Sequence, residues 1–182
     1  MLYKKTMLAG AAALFALSAT AQGTDEISVV VIDQVQLNDV WSNITVDVPN
    51  YAPDVSTTST AVGNAAAGST VSSDIDLDVF QTVEANVTAQ SKVTGYSAGT
   101  AVNTTTAYGN ASSGGAVSAD TFYRAEQETN GDVRAYTDFD LQGANQVASG
   151  TTAIANVSVP SNQYGNNSAF QIQESNGSVY AE

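Results

Sequence analysis

An internal repeat of 46 residues constrains this chain more than any other feature. Residues 60–105 align with residues 106–151 without a gap and agree at 14 of the 46 positions. A third, partial copy begins at Thr152. Self-similarity at a fixed period is typical of proteins that stack one structural unit on the next. The sequence therefore predicts a repeat protein.

Two short signatures recur in every copy. The first runs from a Thr-Ala pair to an asparagine, and its asparagines are Asn64, Asn110 and Asn156. The second begins with a glutamine, and its glutamines are Gln81, Gln127 and Gln173, preceded by a slightly displaced copy at Gln34. Stacked amides of one type can form hydrogen-bonded ladders. We therefore predict one structural ladder of the three asparagines and another of Gln81, Gln127 and Gln173.

The spacing of Asn-type positions divides the repeat into two halves. These positions are 64, 86, 110, 132, 156 and 178, and a slightly shorter step alternates with a slightly longer one. This indicates a unit of about 23 residues, with two units in each 46-residue period. We predict an all-β repeat protein, a β-solenoid (β-helix) with rungs of about 23 residues, roughly seven in number. An antiparallel β-sandwich is the alternative, since it also consists of regular short strands.

Alternating apolar and polar residues support short, half-buried strands. In the segment 74–79, Ile75, Leu77 and Val79 fall on one face and three aspartates on the other. Ile44, Val46 and Val48 follow the same pattern. The chain is rich in Ala, Val, Thr, Ser, Asn and Gly and poor in the residues that favour helices. A narrow core of small side chains is expected.

The N-terminus has the features of a secretory signal peptide. Lys4 and Lys5 precede an apolar run from Met7 to Leu17, and small residues lead up to Ala21. We predict cleavage after Ala21, so that residues 1–21 are the signal peptide. Residues 22–53 are predicted to be N-terminal cap strands that end at the turn around Pro53, and residues 54–182 to be the solenoid repeats. Export is the predicted localisation.

Composition excludes several classes of function. The chain has 18 acidic residues against five Lys and Arg, a net charge of −13. We predict that such a chain does not bind nucleic acid, because phosphate neutralisation requires clustered cations. Histidine and cysteine are absent, which removes catalytic triads, thiol nucleophiles and most zinc sites. We predict no catalytic residue, no cofactor and no metal site, and hence a protein that is not an enzyme.

One acidic segment has a superficial likeness to a calcium loop. Asp74, Asp76 and Asp78 alternate as oxygen ligands do at the start of such loops. The glycine and the late glutamate of that loop are missing, so a solvated strand face is the preferred interpretation. A collective, weak attraction of divalent cations remains a hypothesis, and these ions would bridge the protein to anionic polysaccharide. A polysaccharide-cleaving acid pair is a further, minor alternative.

The ordered repeats resemble a known family. The segments that carry the resemblance are Val35–Val40, Thr57–Asn64, Leu77–Gln81, Asn86–Gln90 and Thr104–Ala111. They resemble the holdfast attachment (anchor) proteins of stalked alphaproteobacteria, in particular the D component. The resemblance implies a secreted protein at the cell surface, peripheral to the outer membrane. It would work with sibling holdfast anchor proteins to tether an adhesive polysaccharide, the holdfast, to the cell envelope.

The last repeat has a second, weaker resemblance. Residues Gln163–Gln171 are similar to a curlin repeat of extracellular amyloid subunits, although their spacing departs from that pattern. The chain also ends part-way through a period, which would leave an open rung for strand addition. Self-association as a curlin-like subunit of an extracellular fibre is therefore the alternative function.

Overall fold

The computed structural model describes residues 16–21 and 27–182, and every regular element in these ranges is a β-strand. No helix there could carry the chain across a membrane. Three long strands of 31 residues alternate with short strands of nine. In chain order the strands are β1 (Ala16–Ala21), β2 (Ser28–Gln36), β3 (Val40–Thr70), β4 (Ile75–Val83), β5 (Val87–Val117), β6 (Thr121–Thr129), β7 (Val133–Gln163), β8 (Asn167–Ser175) and β9 (Val179–Ala181).

The strands form two parallel sheets. One has the order β1-β3-β5-β7-β9 and the other the order β2-β4-β6-β8. Each long strand pairs with the next long strand, and each short strand with the next short one, so the chain winds as a coil. The predicted β-solenoid is confirmed, and the parallel pairing is incompatible with the antiparallel sandwich.

The predicted rung length is wrong, because one turn of the coil takes a whole period rather than half of one. Asn64 pairs with Asn110, and Asn110 pairs with Asn156, each 46 residues further along. The two alternating units of the sequence are the two halves of a single rung. The predicted stack of about seven rungs is therefore too tall, since the two sheets are five and four strands deep.

A bulge in the first turn explains the displaced copy of the glutamine signature. Gln34 pairs with Gln81, which is 47 residues away rather than 46. The register shifts after Val48, where Pro49 and Asn50 together stand opposite Tyr96. The extra residue is thus taken up where the long strand turns a corner, a common place for bulges.

Each rung is folded flat into two walls that face each other across a narrow core. Ser59 Oγ donates to the carbonyl oxygen of Ser42 at 3.1 Å, and Asn64 Nδ2 donates to that of Thr82 at 2.9 Å. The first wall consists of β2, β4, β6 and β8, the first parts of the long strands, residues 40–48, 87–95 and 133–141, and the short β9 paired with them. The second wall consists of the later parts of the long strands, residues 55–70, 101–117 and 147–163, with β1 paired along residues 65–70.

The core between the walls is built from small aliphatic side chains. It contains three apolar clusters, which include Leu77, Val87 and Val93 respectively. The predicted alternation along β4 is confirmed, because Ile75, Leu77 and Val79 are fully buried and the residues between them are half-buried. The coil is stabilised by the burial of many small apolar areas in this core and by the hydrogen bonds of the parallel ladders.

Gly95 marks the corner where the first wall turns into the second. Its φ of 139° lies in a region that L side chains rarely adopt, and a Cβ there would overlap the carbonyl of Val48. We expect Gly95→Ala to lower the free energy of unfolding by about 2 kcal/mol or more, measured by chemical denaturation. Gly143→Ala is the control, because its Cβ would meet only the Ser97 hydroxyl at 3.7 Å. Equal stability of the two variants would contradict the assignment of Gly95 to a strained corner.

Most of the predicted signal peptide lies outside the described residues. Its last six residues, Ala16–Ala21, form β1, which pairs with Ala65–Thr70. Cleavage after Ala21 and the boundary between cap and repeats at residue 53 stay predictions. The long strand β3 runs through Pro53 without a break.

Candidate functional site: polar ladders and the acidic wall

The three signature asparagines lie in line inside the coil. Asn64 Nδ2 donates to Asn110 Oδ1 at 2.9 Å, and Asn110 Nδ2 donates to Asn156 Oδ1 at 2.8 Å. Each amide also donates to a carbonyl of the first wall, as Asn110 does to Glu128 at 2.8 Å. Asn110 is completely buried. The row therefore ties neighbouring rungs together and also ties the two walls together.

The signature glutamines form a second row with the opposite direction of donation. Gln173 Nε2 donates to Gln127 Oε1 at 2.7 Å, and Gln127 Nε2 donates to Gln81 Oε1 at 2.8 Å. Gln81 continues the row to Gln34 at 2.8 Å. These amides also reach carbonyls of the second wall, such as that of Ala111. Because their hydrogen bonds are satisfied in this way, these amide groups can be buried without a large desolvation cost.

A third buried polar cluster has no repeating sequence pattern. Thr57 Oγ1 donates to Asn103 Oδ1 at 2.8 Å, and Ser91 Oγ donates to Thr57 Oγ1 at 3.0 Å. The residue at the corresponding place in the next rung is Ser149, which is exposed. Because the residue type changes from rung to rung, the repeat gave no signal for this cluster.

The other Asn-type positions belong to turns between the strands. Asp39 Oδ1 accepts from the backbone N–H of Asn86 at 2.9 Å, Asn86 Oδ1 accepts from that of Asp132 at 3.0 Å, and Asp132 Oδ1 accepts from that of Ser178 at 2.8 Å. These side chains bond the backbone of the next rung rather than one another. The alternating spacing in the sequence thus arose from two different sets of residues, an internal row and a row of turn residues.

Asp74, the first residue of the calcium-like segment, also serves in a turn. Its Oδ1 accepts from the backbone N–H of Asp120 at 2.8 Å, and Asp120 does the same for Asn166. Asp76 and Asp78 lie on the outward face of β4. Within residues 27–182 no group of three or more acidic side chains is placed to hold a metal ion.

The few cations of the described chain pair with acids on the first wall. Lys92 Nζ lies 2.8 Å from Asp138, and the hydrogen bond and charge of that carboxylate raise the pKa of Lys92. Arg124 pairs with Glu126 in the same way, which raises the pKa of Arg124. Both pairs are exposed, so they contribute little to stability. The remaining acids leave the first wall strongly negative, and we call it the acidic wall.

Aromatic side chains are divided between the core and the surface. Tyr123 is buried and donates its hydroxyl to Ser112 Oγ at 2.7 Å. Trp41, Tyr51 and Tyr164 are exposed. The rings of Tyr136 and Tyr180 meet at 5.7 Å between centroids on the acidic wall.

Comparison with known proteins places this coil in a family. The family model for holdfast attachment protein D matches residues 49–182. The chain belongs to the holdfast attachment protein D family. The match covers most of β3 and all of the later strands, so it includes the asparagine row, the glutamine row except Gln34, and most of both walls. Membership gives the chain a role in holdfast attachment, which implies association with the cell surface. No curated protein and no solved structure matches the chain significantly.

Proposed function

We propose that this protein is exported to the cell surface, where it anchors the holdfast polysaccharide to the cell envelope without catalysing a reaction. It acts together with sibling holdfast anchor proteins and lies peripheral to the outer membrane. The observation that carries the proposal is the family match over residues 49–182. The signal-peptide pattern of residues 1–21 supports export.

The architecture suits a load-bearing connector. Parallel strands are hydrogen-bonded along the whole stack, and two amide rows join the rungs from the inside. A pull along the stack would have to break several of these bonds together. A molecule with two walls whose outer faces point in opposite directions can also hold two different partners at once, which an anchor must do.

The absence of catalysis is part of the proposal. The sequence has no histidine or cysteine, and the acids of the acidic wall point outward or bond turn backbones. A general acid and base would need a cleft that excludes water and shifts their pKa values.

Deleting the gene tests the anchor role directly. We expect the mutant to make the adhesive but to shed it into the medium, because the tether is missing and synthesis is intact. Staining of adhesive on cells and in the culture supernatant measures this. Restoring the full-length gene should return the adhesive to the cells, whereas a gene lacking codons 2–21 should not. A mutant that makes no adhesive, or that retains all of it, would contradict the proposal.

A curlin-like fibre subunit is the second candidate function. It is favoured by the in-register amide rows, which are also found in stacked fibres, and by β8, whose nine residues are all exposed. Purified exported protein would then polymerise with seeding kinetics and bind amyloid dyes. A persistent monomer or small oligomer at high concentration would exclude this alternative.

A further inference from the structure

The second wall of the coil carries no charge at all. None of the chain's acidic or basic residues falls within residues 55–73, 101–119 or 147–165. These three windows contain the second wall and the turn that follows it in each rung. The acids and the three cations of the described chain lie instead on the acidic wall, in its turns or at Asp54 on the corner. We call the second wall the uncharged wall. Strand and rung spacings give it dimensions of roughly 50 Å by 14 Å.

Threonine hydroxyls form columns on the outward face of the uncharged wall. Thr60, Thr106 and Thr152 are aligned across three rungs, and Thr58 is aligned with Thr104. Their neighbours Ser59 and Thr105 point inward and are fully buried, so the alternation of the strand turns these five threonines outward. Their spacing is about 4.8 Å between rungs and about 6.7 Å along a strand.

These five hydroxyls have no hydrogen-bond partner among the described residues. Inward-facing hydroxyls such as those of Ser59, Ser91 and Thr57 are all bonded. The outward hydroxyls are therefore available to solvent or to a ligand. The neighbouring column of Val62, Tyr108 and Ile154 adds apolar and aromatic surface beside them.

The chemistry of this wall fits an uncharged sugar chain. A pyranose ring presents apolar C–H faces and a rim of hydroxyl groups, which match threonine methyls and threonine hydroxyls. A second copy of the chain is a poorer occupant of this wall. It would press one row of hydroxyls against another set of methyl and hydroxyl groups, and each unpaired buried hydroxyl would cost about 1–3 kcal/mol. An ionic ligand would gain no charge partner on this wall.

We propose that the uncharged wall is the polysaccharide-binding surface, that it binds an uncharged stretch of the adhesive, and that the Thr104 and Thr106 hydroxyls lie at its centre. This inference rests on the proposed function, since it names the surface and the class of sugar through which the anchor holds its polysaccharide. In this arrangement the acidic wall faces the cell envelope, on the opposite side of the protein from the polysaccharide. Binding through the uncharged wall requires no bridging cation, unlike the hypothesis from the sequence that divalent cations join the protein to anionic polysaccharide.

The test compares matched variants of the exported protein. Thr104→Val with Thr106→Val removes two hydroxyls while keeping shape and β-branching. Thr45→Val with Thr82→Val makes the same change on the acidic wall, where both side chains point outward. The probe is adhesive shed by the deletion strain and immobilised on a surface. We expect the first pair to weaken binding about tenfold, as the loss of two hydrogen bonds implies, and the second pair to bind like the unaltered protein. Thermal unfolding should show that all three proteins are folded.

Competition with defined sugars identifies the class of ligand. A neutral cello-oligosaccharide should compete with the adhesive for the protein, whereas an anionic oligogalacturonate should not. Binding should also be unchanged in EDTA and nearly unchanged in about 0.5 M salt, because no charge on the protein is involved.

The outcomes separate the inference from the function on which it rests. If the unaltered protein does not bind shed adhesive at all, the proposed polysaccharide anchoring fails, and the inference fails with it. If it binds, but the Thr104/Thr106 variant binds equally well or only the anionic sugar competes, the inference is overturned and the anchor role stands. If the same variant instead converts a dimer into a monomer and retains binding to the adhesive, the wall is a contact between copies, which also overturns the inference.

Discussion

Inserting a second copy of residues 106–151 directly after Thr151 is expected to give a folded protein that is more stable than the original. The insertion adds one complete rung, because Thr106 and Thr152 occupy equivalent places in successive turns. Every downstream residue keeps its wall, its direction and its ladder. In a stacked repeat, each added unit contributes its own stability and one more interface. We expect an increase of about 2 kcal/mol or more and a rise in Tm of roughly 4–8 °C.

The matched control inserts only residues 106–128, half a rung, at the same place. The sequence from Thr152 onward, which belongs to the second wall, would then have to continue along the first wall. Its inward and outward residues would no longer match the neighbouring rung, so residues 152–182 should leave the stack and become sensitive to protease. If the half-rung insertion were the stable one, the rung would be only half a period long after all.

The second large effect is expected at the centre of the asparagine row. Asn110→Ala removes an amide that accepts from Asn64 and donates to Glu128, Thr129 and Asn156. It leaves the Glu128 carbonyl without this donor in the core, and it opens a small cavity. We expect a loss of about 2–4 kcal/mol in the free energy of unfolding, measured by urea denaturation.

Asn43→Ala serves as the control for this change. Asn43 lies on the first wall, and its side chain is exposed. Its replacement should change the stability by no more than about 0.5 kcal/mol. A loss at Asn110 no larger than the loss at Asn43 would mean that the amide row does not stabilise the coil.

The sequence was sufficient for the fold class and for aligning one rung with the next. Ungapped repetition requires equivalent residues to stack, so the alignment of Asn64 with Asn110 and of Gln81 with Gln127 follows from the repeat alone. Strand direction also follows, because stacked equivalent segments run in parallel. The alternation in β4 was sufficient to tell its buried face from its exposed face.

The length of the rung could not be obtained from residue types. Asn64 and Asn86 have the same side chain, yet the first bonds another amide in the core and the second bonds a backbone N–H in a turn. Asparagine is suited to both the core and the turn. The regular spacing of these asparagines therefore indicated a period shorter than the true one. The division between the charged and uncharged walls was equally hidden, because it becomes visible only when the rung is known to have two halves that face each other.

Paired cysteines show whether one rung is a whole repeat period folded into two walls, because the chain has no cysteine of its own. Ser113 pairs with Val159 on the uncharged wall, and both side chains are exposed. Facing residues on parallel strands lie about 4.8 Å apart at Cα, which a disulfide can bridge. Tyr136 lies half a period after Ser113 along the chain, on the opposite wall, with its side chain directed away. We expect Ser113→Cys with Val159→Cys to form a disulfide under mild oxidation and Ser113→Cys with Tyr136→Cys to form none. Efficient intramolecular cross-linking of the second pair and not of the first would contradict this expectation.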